Sequence, residues 1–63
     1  MSYVLIYDNP DRNYVIGFSF DNYDAALKKL RSCVARGMLD SHFQIVKDND
    51  PQAVWLAENK HVF

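Results

Sequence analysis

The 63-residue sequence is poor in most residue types that carry recognisable chemistry. It has one cysteine, Cys33, so no internal disulfide can form; a stapled secreted scaffold is excluded and a reducing compartment is expected. There are only two glycines and two prolines, and no glycine-rich loop whose backbone N–H groups could cradle a phosphate. Long apolar runs are missing. The stretch "YVLIY" (Tyr3–Tyr7) gives way at once to Asp8, Pro10 and Asp11, far short of a spanning helix or of the apolar centre of a signal peptide. The expected location is the cytoplasm, with no membrane partner. Neither sign of charge is in surplus: seven Lys and Arg against eight Asp and Glu give a net charge of -1. Whole-chain attraction to nucleic acid is therefore absent, and any such binding has to come from local asymmetry. No linker, repeat or low-complexity tract breaks the chain, so residues 1–63 read as one small domain.

What is present is apolar and aromatic. Hydrophobic residues make up 49% and aromatics 14% of the chain, too much for a disordered segment, so a packed core is expected. The β-branched and aromatic run Tyr3–Tyr7 predicts a strand that ends at the turn-forming cluster Asn9, Pro10, Asp11. In Tyr14–Phe20, large groups at Tyr14, Ile16, Phe18 and Phe20 alternate with Val15, Gly17 and Ser19, a half-buried strand with a definite inside. The connection between the two is too short for a parallel crossover, so they form an antiparallel hairpin. Its loop belongs to "YDNPDRNY" (Tyr7–Tyr14), in which Pro10 presets its own φ, Asp8 and Asn9 can cap backbone N–H groups, and Asn13 tolerates a left-handed conformation. Only Arg12 lacks a turn-making task there.

A helix follows. Asp21 or Asn22 can cap it, and Asp24 sits near its positive end. Tyr23, Ala26, Leu27, Leu30, Cys33, Val34 and Gly37 or Met38 recur at helical spacing, which lays one apolar stripe on the sheet. Gly37 supplies a left-handed stop. Asp24 and Lys28 stand four apart in the favourable order, worth about 0.3 kcal/mol. His42–Lys47 alternates again, with Phe43 and Ile45 on one side and His42, Gln44 and Val46 on the other, and reads as a third strand that Asp48, Asn49 and Asp50 end. The tail has two readings. Asp50 as cap with Pro51 at the first helical position invites a short helix; Val54, Trp55 and Leu56, a turn at Asn59-Lys60, then His61, Val62 and Phe63 read as a small hairpin. The strand reading is preferred. The expected fold class is α+β: an antiparallel sheet of three to four strands with one helix packed on one face, a ββαβ core followed by a fourth strand or short helix.

Reactive chemistry finds little footing. Cys33 lies within the apolar stripe, where a thiol packs as a small hydrophobe, and no base is placed beside it by sequence. Asp48, Asn49 and Asp50 followed by Glu58 lack the glycine and the closing acid of a calcium loop. His42 and His61 are not at zinc-ligand spacing with Cys33. No catalytic residue, metal site, cofactor or small-molecule substrate is implied, and the chain is not expected to be an enzyme.

Two surfaces remain. One expected helix cannot cover both sides of the sheet, yet the first strand is apolar on both: Tyr3, Leu5 and Tyr7 on one face, Val4 and Ile6 on the other. The set outside the helix, with Val15, Val46 and Trp55, is expected to form an apolar, tyrosine-rich patch unless the C-terminal segment folds over it. This makes Tyr3, Tyr7, Tyr14 and Trp55 the candidate interface residues of a protein-interaction module, homodimeric through that sheet face or bound to another protein. The second surface is basic. Lys28, Lys29, Arg31 and Arg36 fall between Ala25 and Leu39 with no acid among them, opposite the apolar stripe; with Arg12 as an outlying contact they define the alternative, a small nucleic-acid-binding protein.

In layout, the segments "YVLIYD" and "VIGFSFDNYDAALKKL", a strand, a turn, an aromatic-ended strand and an Asp-capped helix, resemble small orphan proteins of bacteriophages and other mobile elements. The resemblance spans about the first forty residues and carries no catalytic motif. It implies a protein that modulates or inhibits a host or phage factor stoichiometrically.

Overall fold

The computed structural model describes residues 2–59. Its elements run β1 (Tyr3–Asn9), β2 (Tyr14–Phe20), α1 (Tyr23–Ala35), β3 (Phe43–Lys47) and α2 (Pro51–Asn59), with single 3-10 turns at Pro10–Arg12 and Asp40–His42. The strands form one antiparallel sheet in the order β2-β1-β3. The fold is thus α+β, as the residue pattern predicts. β1 is the central strand. Because β2 and β3 both run against β1, the chain has to cross the sheet between them, and α1 is that crossover.

Local chemistry accounts for each boundary. In the hairpin, Pro10 opens the 3-10 turn, and Asn13 closes it at φ 49°, ψ 47°, its N–H donating to the Pro10 carbonyl. Asparagine pays little for this left-handed position, because its short polar side chain can hydrogen-bond locally. Asn22 caps α1 by accepting the Ala25 N–H at 2.8 Å. The helix ends in a Schellman turn: Gly37 N–H donates to the Val34 carbonyl and Met38 N–H to the Cys33 carbonyl, with Gly37 at φ 99°. The Asp24–Lys28 pair does not form; both side chains are exposed and no ion pair joins them, as expected where the Coulomb gain in water only matches the entropy of holding two long side chains.

The register decides the core. Tyr3, Leu5 and Tyr7 stand opposite Phe20, Phe18 and Ile16 on one side and Lys47, Ile45 and Phe43 on the other, so all nine share one face. α1 covers it: the Tyr3 and Tyr23 rings meet edge-on at 5.7 Å, and the Lys29 ammonium lies 5.8 Å over the Phe18 ring. Leu5, at the centre, is fully buried, as is Ala26 of α1. The rest of the helical stripe is only partly covered; Leu27, Leu30 and Cys33 are half-buried, and Tyr23 and Val34 are exposed.

The other face corrects the expectation of an open apolar patch. Residues 51–59 are helical, not a strand, and α2 lies over Val4, Ile6 and Val46 with Ala53 and Leu56 buried against them and Val15 packed alongside. The Asp50 carboxylate accepts the Gln52 N–H at 2.9 Å and the Asp50 carbonyl accepts the Val54 N–H, so Asp50 and Pro51 start a helix. Ala53 and Leu56 are three apart, and that helical spacing points both at the sheet. A homodimer through the Val4–Ile6 face is therefore not open to this fold. His61, Val62 and Phe63, read as a further strand, lie outside the described residues.

Candidate functional site

The two sheet faces come together at one end of the molecule, where β1 runs into the hairpin turn. Successive side chains of a strand point to opposite faces, so Asp8 emerges on the α2 side and Asn9 on the α1 side. Each lines a cleft.

On the α2 side is a cleft of about 510 Å³. Its apolar walls are Ile6, Val15, Pro10, Pro51, Trp55 and Leu56, and its polar rim is Asp8, Ser41, His42, Gln44 and Gln52. Trp55 is 50% exposed. The neighbouring Leu56 points into the core, which leaves the indole on the flank of α2, facing the hairpin instead of the sheet centre. Asp8 is exposed and makes no ion pair among the described residues. The rim holds a carboxylate, an imidazole, two carboxamides and a hydroxyl, with no thiol and no lysine or arginine. An apolar wall, an indole face and a free carboxylate suit an apolar or cationic side chain, since a cation is attracted both to the ring face and to the acid.

On the α1 side, Tyr7, Asn9, Arg12 and Tyr14 line a more open cleft of about 620 Å³. Tyr7 is the hub of an aromatic cluster: its ring centroid lies 4.9 Å from Phe43, 6.2 Å from His42 and 6.3 Å from Tyr14. Asn9 does not cap the turn. Its amide Nδ2 instead donates to the Tyr7 hydroxyl at 3.2 Å, and its Oδ1 is buried without a partner. The extended backbone of Asn9, φ -110° and ψ 96°, aims the side chain back along the sheet face instead of forward into the turn.

Of the four aromatic interface candidates, the fold brings Tyr7, Tyr14 and Trp55 to the hairpin end, on its two sides. Tyr3 stands apart, packed on Tyr23 at the opposite end of β1. The basic candidates also divide. Arg12 belongs to the tyrosine cleft, whereas Lys28, Lys29 and Arg31 on α1 and Arg36 just past its end are exposed with no ion pair among the described residues. Sequence reading missed Asp8, Gln44, Gln52 and Leu56 as cleft residues. The alternation in Ile6 and Asp8 places that carboxylate on the α2 face, but the signal has meaning only once a helix is known to lie there.

Among the described residues no cluster of three or more His, Cys, Asp or Glu could hold a metal ion. Cys33 is a free, half-buried thiol on α1. No helix of the described residues is long and apolar enough to cross a membrane. No protein-family model, curated protein or solved structure matches the chain.

Proposed function

We propose that the chain is a non-enzymatic protein-interaction module that modulates a host or phage factor stoichiometrically, gripping it with the hairpin end of the sheet. The observation that carries this reading is the half-exposed Trp55 walling an apolar cleft beside the uncompensated carboxylate of Asp8. Exposed tryptophan in a ready-made pocket is the residue type on which binding energy concentrates. Tyr7 and Tyr14 extend the aromatic surface around the turn, with Arg12 as the charge on that side.

The test compares proteins retained from a host lysate by the wild type, Trp55→Ala and the exposed helix variant Lys28→Ala. The reading requires one partner held in a fixed molar ratio by the wild type and Lys28→Ala and lost, by tenfold or more, from Trp55→Ala. A partner held equally by all three defeats it.

A second reading has its own support. Lys28, Lys29 and Arg31 of α1 and Arg36 at its C-terminal cap are exposed and make no ion pair among the described residues, Lys29 lying over the Phe18 ring; they form a surface able to meet the phosphates of nucleic acid. Fluorescence anisotropy with labelled single- and double-stranded oligonucleotides at low salt separates the two. Binding that weakens steeply with salt and is lost on changing Lys28 and Arg31 to alanine favours this reading; no binding at low ionic strength ends it.

A further inference from the structure

We propose that the α2-side cleft is the seat for an arginine side chain of the partner, its guanidinium laid on the Trp55 indole and paired with the Asp8 carboxylate. This rests on the reading of the hairpin end as a protein-binding surface and names the chemistry that surface takes.

All three strands and α2 build the seat. Ile6 and Asp8 are two residues apart on β1 and so point to one face. Val15 of β2 stands opposite Asp8, and Gln44 of β3 opposite Ile6, which puts all four on the face that α2 covers. The cover is partial. Leu56 is buried in the cluster with Val4, Ile6 and Val46, whereas the neighbouring Trp55 is half-exposed and Asp8 is exposed. The cleft they line, about 510 Å³, falls within the roughly 300–1,000 Å³ of ordinary ligand sites.

Charge selects the occupant. Among the described residues Asp8 is the only carboxylate in the lining, no lysine or arginine lines the cleft, and Asp8 makes no ion pair. An anion would meet an acid with no cation to offset it. An apolar side chain suits the Ile6, Val15 and Leu56 walls but strips water from Asp8 and returns no partner, a cost left uncompensated. A cation answers both features at once, drawn to the indole face and to the carboxylate. Among cations the guanidinium fits best. It is planar and stacks on an aromatic ring, and its five N–H donors exceed what one carboxylate accepts, which leaves some for the carboxamide oxygens of Gln44 and Gln52 on the rim. Its aliphatic stem covers the apolar wall. A lysine ammonium is a strongly hydrated point charge without the stacking plane, and a quaternary ammonium has no N–H to give the carboxamides.

Titration of the full chain with Nα-acetyl-arginine methylamide, read by amide NMR shifts and by fluorescence of Trp55, the single tryptophan, tests the proposal. The corresponding lysine and citrulline methylamides are the comparison probes, citrulline having nearly the shape of arginine without its charge. The arginine probe is expected to saturate with a dissociation constant on the order of a millimolar, with shifts gathered at Asp8, Gln44, Gln52 and Trp55. Citrulline binds about fivefold more weakly, and lysine more weakly than arginine. Asp8→Asn lowers arginine affinity about fivefold. Asp48→Asn removes the same charge from an exposed position next to Lys47, which pairs with Tyr3 at the far end of β1, and leaves the affinity unchanged. Trp55→Ala, followed by amide shifts alone, also weakens binding. No saturable arginine binding overturns the proposal, as do equal affinity for citrulline or lysine, equal effects of the two aspartate variants, and undiminished binding by Trp55→Ala. The two readings fail separately: without arginine binding, a partner lost from Trp55→Ala still supports the interaction module, whereas arginine binding with a partner held equally by Trp55→Ala defeats the module and leaves the guanidinium site standing.

Discussion

Removing the Leu56 side chain tests whether α2 is part of the core or an appendage. Leu56 is 2% exposed and packs with Ala53 on Val4, Ile6 and Val46. Leu56→Ala therefore deletes buried methyl groups from the larger of the two side chains that pack α2 on the sheet, and leucine-to-alanine changes at such sites cost about 2–5 kcal/mol. The site lies near a helix end and can partly collapse, so about 3 kcal/mol is the expected loss. A domain of this size has a total stability of roughly 3–9 kcal/mol, so the variant gives up a third of it or more. The melting temperature should drop by about 12–24 °C. Urea unfolding followed in parallel by far-UV circular dichroism and by fluorescence of Trp55, the single tryptophan, provides the assay. If α2 is integral, both signals change in one transition in the wild type, and both midpoints fall together in Leu56→Ala. A loss under about 1 kcal/mol, or a Trp55 transition that precedes the sheet's, would show that α2 undocks independently. In that case the Val4–Ile6 face is available to other occupants and the covered-face reasoning fails.

Three further outcomes follow from local geometry. Gly37→Ala should cost about 1–2 kcal/mol, all of it backbone, because a Cβ there meets nothing within 4 Å while φ is +99°; Gly37→Asn should cost less, since asparagine tolerates the left-handed region, and equal melting temperatures for the two variants contradict the assignment. Asn22→Ala and Asp50→Ala each remove an oxygen that accepts a first-turn N–H and should each lower stability by about 1 kcal/mol, read as a shift of the urea midpoint with an unchanged slope. Tyr7→Phe removes the acceptor of the Asn9 amide and should cost about 1 kcal/mol by leaving that part-buried donor unpaired. Changing both residues, as Tyr7→Phe with Asn9→Ala, should recover part of the loss; a strictly additive double variant argues against the bond.

The presence of β1, β2 and α1, the left-handed Asn13 and Gly37, and a helix cap at Asp21 or Asn22 were legible along the chain, because each depends on the conformational limits or hydrogen-bonding reach of a residue and its near neighbours; β1, however, runs on through Asp8 and Asn9, which their turn-forming character had assigned to the loop. Alternation in Tyr14–Phe20 and the helical recurrence of Ala26, Leu27, Leu30 and Cys33 also pointed correctly to the faces that meet. The tail was not legible. A nine-residue segment is too short to hold a helix by itself, so its own residues leave Val54–Leu56 undecided, and it is the Val4, Ile6 and Val46 surface that draws Ala53 and Leu56 into helical spacing.

The same non-local step decided the candidate site. Side-chain alternation separates Asp8 from Asn9, but only the position of α2 turns Asp8 and Trp55 into the walls of one cleft. Likewise, the chain order does not reveal that β1 is central. That follows once α1 carries the chain across the sheet, leaving β2 and β3 as the outer strands among the described residues. Local steric and hydrogen-bonding preferences thus determined the elements and their inward faces; burial between distant segments determined which face was closed, which strand lies at the centre, and where the aromatic side chains gather.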